Sequence, residues 1–190
     1  MSKLLLHCCC AVCASYPFLQ LKEMGYELVL YFYNPNIYPN VEYQRRLDEL
    51  KKLSEMYGAK LIVEEESYDY WLNLVKGLEN EPEKGARCSI CFKERLSRAV
   101  LCAIKENCEY FTTTLTVSPH KNSKQIFECT DEVLKVIQSR ENRGEEPYKI
   151  PQFLKIDFKK QDGFKKTSKL ADEYGFYRQE YCGCEFSVRK

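Results

Sequence analysis

No long apolar run interrupts this chain. The longest apolar stretch, Leu28 to Tyr33, falls far short of the roughly 20 residues that a membrane span needs. The start, Met1-Ser-Lys-Leu-Leu-Leu-His7, has only a short apolar run before a histidine, too little for a secretory signal. An excess of charge is missing as well, since 29 Lys+Arg face 28 Asp+Glu and leave a net charge of +1. That balance excludes a uniformly basic nucleic-acid-coating protein and still leaves room for a local basic patch. Internal repeats and low-complexity segments are absent. At 44% hydrophobic and 30% charged residues over 190 positions, the chain reads as one soluble globular domain spanning 1–190, with the cytoplasm as its expected location and no membrane partner.

What remains is an alternation of strand and helix patterns. Lys3–Leu6 reads as a short buried strand, Pro17–Gly25 as a helix, Glu27–Tyr33 as the clearest strand, and Asn34–Asn40 as a loop punctuated by Pro35 and Pro39. Leu47, Leu50, Leu53 and Met56 share one face of a helix ended by Gly58. A strand at Lys60–Val63 and helices at Tyr70–Leu78 and Cys91–Lys105 follow. Tyr110–Leu115 is the next expected strand, then a polar loop to Asn122 and a helix over Ser123–Arg140. A charged loop at Glu141–Tyr148, a strand at Phe153–Phe158, a helix at Gly163–Tyr174 and a tail strand at Phe176–Tyr181 complete the series. Such alternation predicts an α/β fold, a mostly parallel sheet with helices on both faces. Function in such sheets gathers at the carboxyl ends of the strands.

Cysteine is the abundant residue, with 11 copies. An odd number cannot all pair, and a cytosolic chain favours thiol or metal chemistry over a disulfide framework. Cys102, Cys108 and Cys129 are scattered like buried fillers. The others cluster: Cys8, Cys9, Cys10 and Cys13 after the first strand, Cys88 and Cys91 at a helix start, Cys182 and Cys184 near the end. Two Cys-x-x-Cys turns, Cys10/Cys13 and Cys88/Cys91, can aim four thiolates at one zinc ion or one iron–sulfur cluster. Zinc ribbons space such knuckles by roughly 15–20 residues, whereas these stand much farther apart, which favours the cluster. A single glycine between Cys182 and Cys184 allows a small strained ring, suited to a reversible redox pair. A phosphate loop is excluded after the first strand, where cysteines fill the slot that needs glycine.

The combination His7-x-Cys-Cys-Ala-x-Cys13, Cys88-x-x-Cys91, Thr114-x-x-x-Ser118-Pro-His-Lys-Asn122 and Tyr177-Arg-Gln-x-Tyr-Cys-Gly-Cys184 resembles the cobalamin-independent epoxyqueuosine reductases. The resemblance covers nearly the whole chain, and Val12, where a proline is common, departs from the pattern. It implies a Rossmann-like, nucleotide alpha-hydrolase-like fold and the reduction of epoxyqueuosine in tRNA to queuosine, with the epoxide oxygen leaving as water. It further implies a [4Fe–4S] cluster with a neighbouring single iron, and an electron donor as partner. Carried over, the cluster ligands are Cys9, Cys10, Cys88 and Cys91, with Cys13 as the rival that local spacing would pair with Cys10.

On this reading Cys182 and Cys184 store two electrons, and His120 or Lys121 gives a proton to the leaving oxygen. Ser118, Lys121, Asn122 and Arg178 are the expected substrate contacts. His7 reads as a hydrogen-bonding neighbour of the ligands. Lys155, Lys159, Lys160, Lys165, Lys166 and Lys169, with Arg45 and Arg46, are candidate phosphate contacts, and Tyr38 is a candidate stacking face. Two other classes compete: a zinc-stabilised RNA-binding module and a metal-free thiol redox protein.

Overall fold

The computed structural model describes residues 1–141 and 149–188. Among them, five parallel strands form one sheet: β1 (Lys3–His7), β2 (Glu27–Phe32), β3 (Lys60–Val63), β4 (Tyr110–Thr113) and β5 (Gln152–Phe153), in the order β3-β2-β1-β4-β5. Six helices connect and cover them: α1 (Ala11–Glu23), α2 (Asn40–Tyr57), α3 (Tyr68–Leu74), α4 (Ala86–Lys105), α5 (Ser123–Glu141) and α6 (Gly163–Tyr174). The expected α/β class is what the chain adopts.

β1 sits in the middle, and its three consecutive leucines explain why. Side chains alternate across a sheet. Leu4 and Leu6 therefore point to one face, where Leu21 of α1, Leu50 of α2 and Ala171 of α6 pack on them. Leu5 points to the other, against Ala99 and Val100 of α4 and Val133 of α5. All three leucines are fully buried. A strand covered on both faces must be apolar throughout.

Strand order reverses at β1. Its neighbours are β2 and β4, so the chain diverges there and leaves a crevice at the carboxyl ends of β1 and β4. Cys8–Cys13 leave the first of these ends, and a short 3-10 turn, Thr114–Val117, leaves the second. The sequence's two richest segments therefore meet by topology alone.

Several boundaries differ from the sequence reading. α1 begins at Ala11, well before Pro17, because the Cys10 side chain acts as its N-cap and its Sγ accepts the Cys13 N–H at 3.4 Å. Pro17 lies inside that helix. α2 ends as expected, with Gly58 in the left-handed region (φ 58°) that favours glycine. The strand expected at Phe153–Phe158 is only Gln152–Phe153. Residues 176–181 form no strand; side-chain contacts hold them instead of a ladder. Of the charged loop expected from Glu141 to Tyr148, Glu141 ends α5 and the rest lies outside the described residues.

Candidate active site

After β1 the backbone turns sharply and presents thiols in two directions. Cys8 points into the core beside Leu6, whose carbonyl accepts its S–H at 3.2 Å, so it is a filler. Cys9, Cys10 and Cys13 point the other way, and their Sγ atoms all lie within 4.8 Å of one another. Thr114, at the end of β4, fixes Cys9 from the far side: its Oγ1 accepts the Cys9 N–H at 3.3 Å and lies 3.6 Å from Cys9 Sγ. The Cys8 carbonyl accepts from Asn34 Nδ2 at 3.0 Å, and Asn34 Oδ1 is in turn held by the buried Arg95 of α4.

Three buried thiols cannot share one charge state. Hydrogen bonds from Cys10 and then Cys13 pull the Cys9 thiol well below its ordinary pKa, with Lys121 and Arg95 adding positive potential. Cys13 is pushed well above it by its bonds to Cys10 and Cys9, while for Cys10 the lowering bond with Cys13 is outweighed by the bond with Cys9, burial and the Cys9 charge, which push it up to about 12. Cys9 is thus the most readily ionised thiol of the three. His7 lies beneath this turn, fully buried, with Nδ1 2.9 Å from Thr113 Oγ1 and Nε2 3.2 Å from the Tyr33 carbonyl. Burial and Arg95 lower its pKa to about 3 and keep it neutral, with both ring nitrogens engaged by Thr113 and Tyr33.

A second thiol group faces the first. Cys88 and Cys91 occupy the opening turns of α4, where free N–H groups and the helix dipole favour anions. The Lys84 N–H donates to Cys88 Sγ at 3.3 Å. Cys91 is packed with Cys184 beneath Trp71. Burial raises both thiols, and Cys91 reaches about 12. All eleven cysteines are free, Cys182 and Cys184 included.

Between the groups lies a cleft of about 270 Å³. Cys13, Cys88, Cys182 and Cys184 line it, and so do Ser118, His120, Lys121 and Arg178. Lys121 is the unusual member, because its side chain is only 8% exposed. Burial opposes its charge, but Cys182, Cys9 and Cys13 outweigh that and raise its pKa. His120 is exposed at the rim, its N–H donating to Ser118 Oγ at 3.3 Å. Arg178 reaches the Ser168 carbonyl at 2.6 Å and pairs with Asp172 at 3.0 Å.

Other expected contacts fall elsewhere. Asn122 does not line the cleft; its Oδ1 accepts the Lys124 N–H at 3.0 Å and caps α5. Arg46 is buried, so it cannot track phosphates. Tyr38 packs against Tyr68, ring centroids 4.9 Å apart, outside the cleft. Among the lysines, Lys155 pairs with Asp131 at 2.7 Å, and Lys159 is tied to Ser123 Oγ and the Lys121 carbonyl. Sequence reasoning missed Phe164, in the first turn of α6. It is 47% exposed and lines the cleft near Arg178 and His120, whereas Phe18, Phe92, Phe111 and Phe158 are buried. Nothing local to the sequence sets Phe164 apart from those.

Comparison with known proteins now has a site to bear on. The family model described as epoxyqueuosine reductase QueH matches residues 4–190. This chain belongs to the QueH family. Relatives named epoxyqueuosine reductase QueH include one from Streptococcus pyogenes serotype M1, 35% identical over 98% of this chain and 70% of its own length. Another, from Acinetobacter baylyi, is 35% identical over 98% and 81%, and one from Dehalococcoides mccartyi is 34% identical over 97% and 92%. In solved structures, the fold resembles the U34-tRNA thiolase NcsA from Methanococcus maripaludis with its [4Fe-4S] cluster. The TM-score is 0.59 at 15% identity, covering 99% of this chain and 61% of that one. A predicted tRNA methyltransferase subunit from Methanocaldococcus jannaschii gives 0.57 at 12% identity, covering 96% and 95%. At those identities the QueH chain shares the fold with both, and the QueH relatives alone speak to its chemistry.

Proposed function

We propose that this chain is an iron–sulfur reductase that converts epoxyqueuosine in tRNA to queuosine. The observation that carries the reading is the convergence of free thiols from the start of α1 (Cys13), from α4 (Cys88) and from the tail (Cys182 and Cys184) on one cleft at the sheet's switch point, in a chain of the QueH family. A tRNA substrate also fits the cytoplasmic address expected from the sequence.

The donor set fits an iron–sulfur cluster. The tight group between β1 and α1 consists of thiols alone, and soft thiolates are what such clusters take. Cys9 and Cys10 with Cys88 and Cys91 would hold it, and Cys13 is the rival, since its Sγ lies within 4.8 Å of both Cys9 and Cys10 Sγ. When bound, a [4Fe–4S] cluster supplies electrons one at a time.

The chain's own residues account for the rest. Reducing an epoxide to an alkene takes two electrons and two protons, and the oxygen leaves as water. Cys182 and Cys184 can give both electrons and both protons, becoming a disulfide that an external electron donor reduces between turnovers. Lys121, charged and buried in the cleft, stabilises negative charge that builds on the epoxide oxygen as its C–O bond breaks. His120 at the rim is a proton carrier to that oxygen. Ser118 and Arg178 remain substrate contacts on the wall, and Phe164 replaces Tyr38 as the face on which an extruded base stacks. An additional single iron would draw on Cys182 and Cys184, so that iron and the dithiol role are alternatives.

The test is conversion. Protein purified without oxygen and loaded with iron and sulfide is incubated with epoxyqueuosine-containing tRNA and a chemical reductant, and the digested nucleosides are weighed by mass spectrometry. A product lighter by one oxygen atom is expected. Full cluster loading with no conversion overturns the reading, and stoichiometric zinc without iron points to the RNA-binding module instead.

A further inference from the structure

A tail with no strand or helix of its own must be held by something else, and the residues that hold it converge on α2. Tyr177 gives its N–H to Glu49 at 3.0 Å and its O–H to Glu42 at 2.9 Å, while the Arg45 guanidinium lies 3.5 Å above its ring. Four residues on, Arg46 takes over. Its side chain is fully buried and paired with Glu42 at 2.6 Å. Its two remaining nitrogens donate to the carbonyls of Cys182 at 3.0 Å and Tyr181 at 3.1 Å. The Tyr38 N–H completes the clasp on the Gly183 carbonyl at 2.9 Å.

Gly183 shows how tight this clasp is. With φ at 140° it adopts a backbone that side chains rarely reach, and a Cβ there would stand 3.0 Å from Asn36 Nδ2 and 3.3 Å from an Arg46 nitrogen. Arg46 therefore ties α2 to the backbone on either side of the Tyr181–Cys182 bond, the segment that brings Cys182 and Cys184 to the cleft lined by Cys13.

We propose that Arg46 is a positioning residue that latches the Cys182-Gly183-Cys184 segment against α2 and so holds its two thiols in the cleft that Cys13 also lines. The proposal rests on the reading that this pair works in the cleft. Arginine suits the task because its rigid fork serves Glu42 and two carbonyls at once, which a lysine ammonium on a flexible stem cannot do.

The experiment compares the Arg46→Lys and Gly183→Ala variants with the wild-type, cluster-loaded protein. Each cysteine's alkylation rate is followed by mass spectrometry, together with iron content and steady-state kinetics on epoxyqueuosine-containing tRNA. Loss of two charge-assisted hydrogen bonds should speed labelling of Cys182 and Cys184 by about tenfold or more. Labelling of Cys102 and Cys108 in the core, and the iron content, should stay at wild-type values. kcat should fall with KM little changed, and Gly183→Ala should reproduce the effect without altering Arg46. Wild-type tail labelling in both variants overturns the proposal, and so does equal acceleration at Cys102 and Cys108, which would mean general loosening. Faster tail labelling with undiminished kcat overturns it too. If instead the latch behaves as stated but Cys182→Ser sustains full turnover, the dithiol reading fails while the latch survives.

Discussion

The first-loop thiols Cys9, Cys10 and Cys13 are enclosed by β1, β4 and α1, whereas Cys182 and Cys184 reach the same cleft on a tail without regular structure. Their environments differ accordingly. In the first group hydrogen bonds with Cys10 and Cys13 hold the Cys9 thiol well below its ordinary pKa. In the second, burial keeps Cys184 protonated, and the Ser187 hydroxyl bonds to its backbone carbonyl at 2.7 Å. An enclosed, readily ionised thiol suits a permanent ligand. A protonated thiol on a separate segment suits a pair that cycles between two states. On the proposed function the same residue type would hold in one place and react in the other, with the scaffold deciding which.

The comparison breaks most visibly at the ligands. Cys9→Ser should abolish cluster assembly, read as loss of iron, acid-labile sulfide and visible absorbance, while Cys102→Ser should leave all three intact because Cys102 only fills the core. Cys13→Ser against Cys10→Ser sharpens the ligand set. If Cys13 proves essential and Cys88 dispensable, the cluster belongs to the first loop alone.

Next in size is the tail. Cys182→Ser or Cys184→Ser should keep the iron content and lose multiple-turnover activity. Alkylation followed by mass spectrometry after a single wild-type turnover should find the two sulfurs joined. Loss of iron from either variant would turn the pair into ligands and erase the contrast drawn above.

A smaller effect is expected at the wall between the two groups. Phe164→Ala removes an exposed ring whose stacking on a base is worth about 1–3 kcal/mol. KM for tRNA should therefore rise about tenfold, with Phe164→Tyr close to wild type. An unchanged KM would free Phe164 of any substrate role.

How legible all this was depends on what each feature rests on. β3 (Lys60–Val63) and α6 (Gly163–Tyr174) have the bounds expected from the sequence, because glycines punctuate the chain beside both. α1 was misplaced because its cap is the thiol of Cys10, which propensity rules do not count among capping residues. The tail was misread as a strand because three aromatics, Phe176, Tyr177 and Tyr181, give it strand-like composition, but the partners are Glu42, Glu49 and Arg46 rather than another strand. In the site, cysteine spacing announced the thiol groups. Burial announced nothing, so Arg46 looked like a surface cation and Phe164 like one more core phenylalanine.

Asn122 offers the smallest test, and one that separates a scaffold role from a substrate role at a single residue. The loop from Ser118 to Asn122 follows β4, and its sequence suggested substrate contacts at Ser118, Lys121 and Asn122. Instead, Asn122 takes the Lys124 N–H on its side chain and the Ile126 N–H on its carbonyl, the two bonds that start α5. Replacing such a cap by alanine costs about 1 kcal/mol, which in a domain of this size lowers Tm by about 2–4 °C. Asn122→Asp keeps the acceptor and adds a negative charge at the helix's positive end, so it should hold Tm at or slightly above the wild-type value. KM for tRNA should be the same in all three proteins, because the side chain is committed to α5 and stands outside the cleft. A raised KM at unchanged Tm in Asn122→Ala would reverse the assignment and return Asn122 to the substrate side of the loop, beside Lys121.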